Sequence, residues 1–191
     1  MSLTIEKEIK SQYAKIFQQK DWKIFIKTAE YYFQKAAKLK TSDIDFIENR
    51  LLLRNIQKRL FLGIGGELLV KAFYLKNGYL INKPKEKDIY TSRRIKFTEL
   101  GQDKIDEYDT FSFNDLIDNL NKINKFENWS SIQTALKILK VFRNKEGHVV
   151  TPNHKFEQPT YSKIENGLQF MFREAFMKDL KLKISMTPNE K

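Results

Sequence analysis

The chain has 191 residues and a formal net charge of +11, with 35 basic against 24 acidic side chains and only two histidines. Cysteine is absent, which excludes disulfides, thiolate zinc sites, iron–sulfur clusters and a cysteine nucleophile. A histidine-rich metal site is excluded as well, and the basic balance favours a polyanionic partner.

The length suits one domain, here expected over 1–178 with a basic tail at 179–191. Of the basic residues 28 are Lys and 7 are Arg, and Ile, Asn and Phe are also plentiful, a bias that an AT-rich coding sequence produces without selection for binding. No stretch approaches the about 20 consecutive apolar residues of a membrane span. The first ten residues lack the apolar core of a secretory leader, so the expected setting is cytoplasmic, without a membrane partner.

Seven glycines and four prolines leave long stretches without a helix breaker, which predicts an all-α fold. Ile5, Ile9, Tyr13, Ile16 and Phe17 recur at helical spacing. Asp21 is placed to cap a second helix carrying Ile24, Phe25, Thr28, Tyr31, Tyr32 and Ala36. After the cap cluster Thr41-Ser42-Asp43, residues 44–75 read as one long helix or two short ones, stopped at Asn77-Gly78. Within it lies Gly63-Ile64-Gly65-Gly66. Its spacing fits neither dinucleotide nor P-loop patterns and no strand precedes it, so close helix–helix packing is the preferred reading.

Residues 79–111 lack a helical stripe and read as an irregular insertion, with 90–97 as a short extended segment. Charge is split there. Positions 83–96 hold six basic and two acidic residues, whereas 99–118 hold seven acidic and one basic. The acidic block reads as a solvated face, with docking of a basic partner as the second reading. Ser112 then caps a helix carrying Phe113, Leu116, Ile117, Leu120 and Ile123. Asn128 to Ser131 open the next, with Ile132, Ala135, Leu136, Leu139 and Phe142 on one face, stopping near Gly147. Pro159-Thr160 start a last helix with Ile164, Leu168, Met171, Phe172, Ala175 and Phe176.

The chemistry concentrates at Arg143-Asn144-Lys145-Glu146-Gly147-His148, where an apolar helix turns polar. Arg matches phosphate with a fork of donors and a permanent charge. His exchanges protons near neutral pH. Together they suit metal-free RNA cleavage: His148 takes the ribose 2′-OH proton, Arg143 stabilises the transition state, and Asn144 holds a phosphate oxygen or orients the imidazole. On spacing alone, the preferred reading of R-x4-H is a helix C-cap, with Arg at the negative end of the dipole and Gly147 in the left-handed region. Both Arg143 and His148 are expected to be dispensable for folding. His154 reads as an exposed loop histidine, and Glu67 and Lys71, four apart, as a helix ion pair.

The Arg143-Asn144…His148 motif at a helix end, with the earlier segment Glu67-Leu68-Leu69-Val70-Lys71-Ala72-Phe73-Tyr74-Leu75-Lys76-Asn77-Gly78, resembles the HEPN family over roughly 45–78 and 112–177. That resemblance implies a HEPN-like bundle of about five to six helices with an insertion around 79–111. It implies an endoribonuclease leaving 2′,3′-cyclic phosphate, a homodimer in which two Arg143/His148 pairs face each other, RNA as substrate, and an antitoxin protein as possible partner in a toxin or phage-defence role. No cofactor and no metal are implied. Some members carry a tyrosine two residues after the histidine as a site of nucleotide addition; Val150 stands there, which puts that control in doubt. Arg143, His148 and Asn144 are the expected catalytic residues; Lys145 and Glu67 are expected to bind substrate beside them, and Arg93 and Arg94 to contact the phosphate backbone outside the site. The rivals are a non-catalytic nucleotide- or partner-binding HEPN-like module and a helical DNA-binding regulator.

Overall fold

A computed structural model of the chain describes residues 5, 7–9, 11, 21–44, 50–86, 92–146 and 158–184. Positions 5, 7–9 and 11 are helical. The first long helix, α1 (Trp22–Lys38), begins where Asp21 accepts the Lys23 backbone N–H at 2.9 Å. Its buried side is Phe25, Ile26, Ala29, Phe33 and Ala36. Ile24 and Tyr31, expected in the apolar stripe, instead face solvent at 47% and 56% exposure. The inner face is set by what α1 packs on, and small Ala29 with ring Phe33 fit the glycine-notched neighbour better.

That neighbour is α2 (Arg50–Lys76), a single helix of 27 residues, about 40 Å long. It stops at Gly78, whose φ of +78° is the left-handed turn that glycine adopts without a Cβ penalty. The glycine cluster has the packing role. A Cβ on Gly65 would lie 2.7 Å from the Phe33 ring, and one on Gly66 would lie 2.8 Å from Leu139. These notches let α1 approach α2 from one side and α4 (Trp129–Glu146) from the other. α5 (Gln158–Phe176) closes the ring of helices, packing on α4 and meeting α1 through Phe33–Phe172 and Trp22–Phe176 ring contacts. The four helices enclose Phe33, Leu62, Leu69, Phe73, Leu139, Leu168 and Phe172, all buried.

The insertion carries a small antiparallel ribbon. β1 (Asn82–Pro84) pairs with β2 (Ile105–Thr110), with an irregularity between Asn82↔Thr110 and Pro84↔Ile105, and Tyr79 bridges Lys96. Leu80, Ile81, Ile95, Leu100 and Phe111 tie it to the core. Three of its acidic side chains are spent locally. Glu99 accepts the Lys96 N–H, Asp106 accepts the Asp109 N–H, and Asp109 pairs with Lys83 at 2.9 Å. Asp115 forms a reciprocal cap with Ser112 at the start of α3 (Phe113–Ile123). α3 packs across α2 and α4.

Two other helix ends are capped from a distance. Glu174 accepts the backbone N–H groups of Glu127 and Asn128 just before α4. Lys76 donates to the Ala175 carbonyl at the end of α5. Residues 178–184, read in the sequence as tail, return along α5, where Ile184 is buried and its N–H meets Glu165. Among the described residues no helix is long and apolar enough to cross a membrane.

Candidate active site around Arg143

Gly63 is the floor of the site. A Cβ there would fall 2.5 Å from the Arg143 backbone nitrogen and 2.7 Å from its Cα, so α4 touches α2 at this position. One turn further along α2 stands Glu67, within reach of the Arg143 side chain. Arg143 Nε donates to Glu67 Oε2 at 2.8 Å. The other oxygen, Oε1, pairs with Lys71 Nζ at 2.9 Å. The carboxylate side chain is 16% exposed, that of Lys71 9%, and that of Arg143 42%. Burial pushes the Glu67 carboxyl up, but its contacts with Lys71 and Arg143 outweigh this, and its pKa lies below the ordinary carboxylate range. The site therefore holds a charged acid between two cations, one inward and one at the surface.

Nε carries the only hydrogen bond of the Arg143 side chain among the described residues, so the Nη groups keep their donors. Asn144 and Lys145 are exposed at the next two positions of α4. Gly147, His148, Val150 and His154 lie outside the described residues. Glu67, weighed in the sequence as a lesser substrate contact, touches Arg143 directly; the expected Glu67–Lys71 helix pair is present too. Arg143 thus carries a structural contact as well, and its replacement is not free of cost to folding.

Arg93 and Arg94 stand elsewhere. Arg93 pairs with Asp115 at 3.6 Å and lies over the Phe111 ring at 5.6 Å. Arg94 is exposed and close enough to Tyr74 to oppose the upward push that burial gives its hydroxyl. Neither arginine contacts Arg143. Arg93 alone is linked towards the site through α3: its partner Asp115 follows Asn114, whose side-chain oxygen accepts Lys140 Nζ at 2.8 Å, and Lys140 is one turn before Arg143.

Sequence reasoning missed three buried cations in the first half of α2, namely Arg54, Lys58 and Arg59. Arg54 donates to Thr41 at 3.3 Å, and Lys58 lies 5.5 Å from the Tyr161 ring centroid. Burial, then the Arg54 charge, lowers the Lys58 pKa to about 8 against the pull of Glu165. Their positions carried no signal, because lysine and arginine are read as surface residues by default. No group of three His, Asp or Glu placed to hold a metal occurs among the described residues. Comparison with known proteins finds no matching family model, no matching curated protein and no matching solved structure.

Proposed function

We propose that the chain is a HEPN-like endoribonuclease that works without a metal through Arg143 and His148. The carrying observation is the Arg143–Glu67 bond. It occupies Nε and restricts the guanidinium while leaving the Nη fork for two phosphate oxygens, a geometry suited to bidentate phosphate contact. His148 follows the last residue of α4 by two positions. Its imidazole takes the 2′-OH proton as O2′ bonds to phosphorus. The P–O5′ bond breaks, the leaving oxygen takes up a proton, and a 2′,3′-cyclic phosphate remains. Asn144 holds a phosphate oxygen or the imidazole. In this reading the chain is a cytoplasmic homodimer, its paired sites enclose the RNA, and it acts as a toxin or defence component restrained by an antitoxin protein.

One observation favours a second reading, the non-catalytic module. Glu67 already pairs with both Lys71 and Arg143 without a ligand, as in a purely structural ion-pair cluster. The test is RNA cleavage in chelator with end-group analysis. Wild type should leave 2′,3′-cyclic phosphate, and His148→Ala should lose about 10²–10⁴-fold in rate, as for loss of a general base. Its melting temperature should be unchanged. Full activity in both Arg143→Ala and His148→Ala returns the motif to a helix cap. Dependence on magnesium with 5′-phosphate products would defeat the mechanism.

A further inference from the structure

The outer face of α1 is basic. Lys23, Lys27, Lys35 and Lys38 are exposed along it together with Gln34, Ile24 and Tyr31. The one acidic residue of α1, Glu30, is turned to a partner, Lys178. Basic residues in the last turn of a helix are expected from the dipole. A tyrosine 56% exposed among them is not explained that way. Tyr31 is held in place: it meets Tyr32 edge-on at 5.7 Å, and Tyr32 in turn meets Phe61 of α2 at 5.8 Å. Lys35 Nζ lies 5.5 Å from the Tyr31 ring centroid.

This ring forms a wall of a cleft of about 360 Å³ at the end of α1, lined also by Gln34, Lys35, Lys38, Leu39 and Asp43. The volume falls within the about 300–1,000 Å³ of small-molecule sites. The chemistry of the walls is mixed in a specific way. Tyr31 and Leu39 are apolar surfaces, and the Gln34 amide both donates and accepts. Asp43 accepts the Lys40 N–H with one oxygen. Two lysines stand at the rim.

We propose that this cleft takes up an unstacked base of single-stranded RNA, with Tyr31 stacking on the base and Lys35 and Lys38 meeting the flanking phosphates. A flat aromatic wall beside cations is the arrangement that binds single strands without reading sequence. A membrane surface would require several large apolar side chains on this face, and only Ile24 and Tyr31 are present. Gly65 rests on α1 while Gly63 rests on α4, so the cleft lies beyond α2 from Arg143. The two sites stand on different helices with α2 between them, and only an RNA of several nucleotides spans both. The inference rests on the RNA partner proposed above, not on cleavage.

The test is fluorescence anisotropy of the full chain with a labelled 12-nucleotide 2′-O-methyl RNA, which cannot react through its 2′ oxygen. Tyr31→Ala should weaken binding about tenfold and Tyr31→Trp should restore it, since a stacked aromatic is worth that much per base. Lys35→Glu with Lys38→Glu should weaken binding and reduce the slope of log affinity against log salt by about 1.4, two phosphate contacts at about 0.7 each. All these positions are exposed, so melting temperatures should hold. Equal affinity in Tyr31→Ala, or no affinity in wild type at 50 mM salt, about the low end for such measurements, overturns the proposal. So does binding of phosphatidylserine vesicles without binding of the oligonucleotide. If Tyr31 governs binding yet no RNA is ever cut, the cleft stands and the nuclease reading falls. If a dinucleotide is cut equally by wild type and Tyr31→Ala while 12-mer binding ignores Tyr31, the reverse holds.

Discussion

At the scale of single residues, Gly63 and Glu67 decide where Arg143 stands. A methyl group on Gly63 meets backbone atoms of α4, which have no rotamer to yield. Gly63→Ala should therefore separate the helices and destabilise the fold by about 1–3 kcal/mol, the usual cost of overpacking. It should also lower RNA cleavage more than a remote variant of equal melting temperature, because the Arg143 reach to Glu67 lengthens. Cleavage that follows melting temperature alone in such a matched pair would deny Gly63 a positioning role. Glu67→Gln removes the carboxylate charge that pairs with both the nearly buried Lys71 and Arg143, and should cost about 3 kcal/mol. Arg143→Ala leaves Glu67 paired to Lys71 and should cost about 1 kcal/mol, near the limit for a half-exposed pair. Because the folded pKa of Glu67 is depressed, the unfolded chain binds its proton more readily as pH falls. Its contribution is present above the unfolded carboxylate value and is lost as pH drops through the folded one. Urea titrations between pH 7 and 3 should show the wild-type advantage over Glu67→Gln shrinking in acid; a constant gap would contradict the pairing.

Helices and their ends were the most legible elements. The caps at Asp21 and Ser112 and the stop at Gly78 are local signals, and each is where the sequence places it. The insertion was legible as non-helical, but the pairing of its strands was not, since β1 has three residues and its partner begins about twenty residues later. The Arg143–Glu67 bond joins residues 76 apart, so no spacing rule contains it. The end of α5 at Phe176 matches the last apolar position read in the sequence, although Met177 takes φ +53° where glycine is usual. That conformation costs a β-carbon residue about 1–2 kcal/mol. Met177 is 93% exposed and loses little packing on truncation. Met177→Gly should accordingly stabilise the chain by about 1 kcal/mol in urea unfolding, and a destabilised variant would mean that Met177 covers something. The first half of α2 adds a pH signature. Lys58 titrates near pH 8 when folded, below its ordinary value, so the unfolded chain holds more protons between about 8 and 10.5. Stability from this group rises with pH across that window. Lys58→Met should remove that rise, and a melting-temperature profile parallel to wild type from pH 8 to 10.5 would contradict it.

For the molecule as a whole, the charge acts on folding and on binding with opposite signs. At +11 the folded chain carries like charges in a small volume, and their mutual repulsion favours the unfolded state. Added salt screens that repulsion within a Debye length of about 8 Å at physiological strength. Exposed ion pairs such as Arg93–Asp115 and Arg173–Asp179 lose little when screened, since their separations are 3.6 and 3.5 Å in open surroundings. Melting temperature should therefore rise between 50 and 300 mM sodium chloride, spanning a roughly twofold change in Debye length. Affinity for single-stranded RNA should fall across the same range, because each neutralised phosphate releases counterions, with a slope of about −0.7 per contact. The two trends separate a folded polyanion-binding surface from a basic composition that serves no partner. A composition without a binding face gives the rise in melting temperature alone. RNA affinity insensitive to salt, beside a rising melting temperature, would assign the lysines to composition and remove the electrostatic support for an RNA partner.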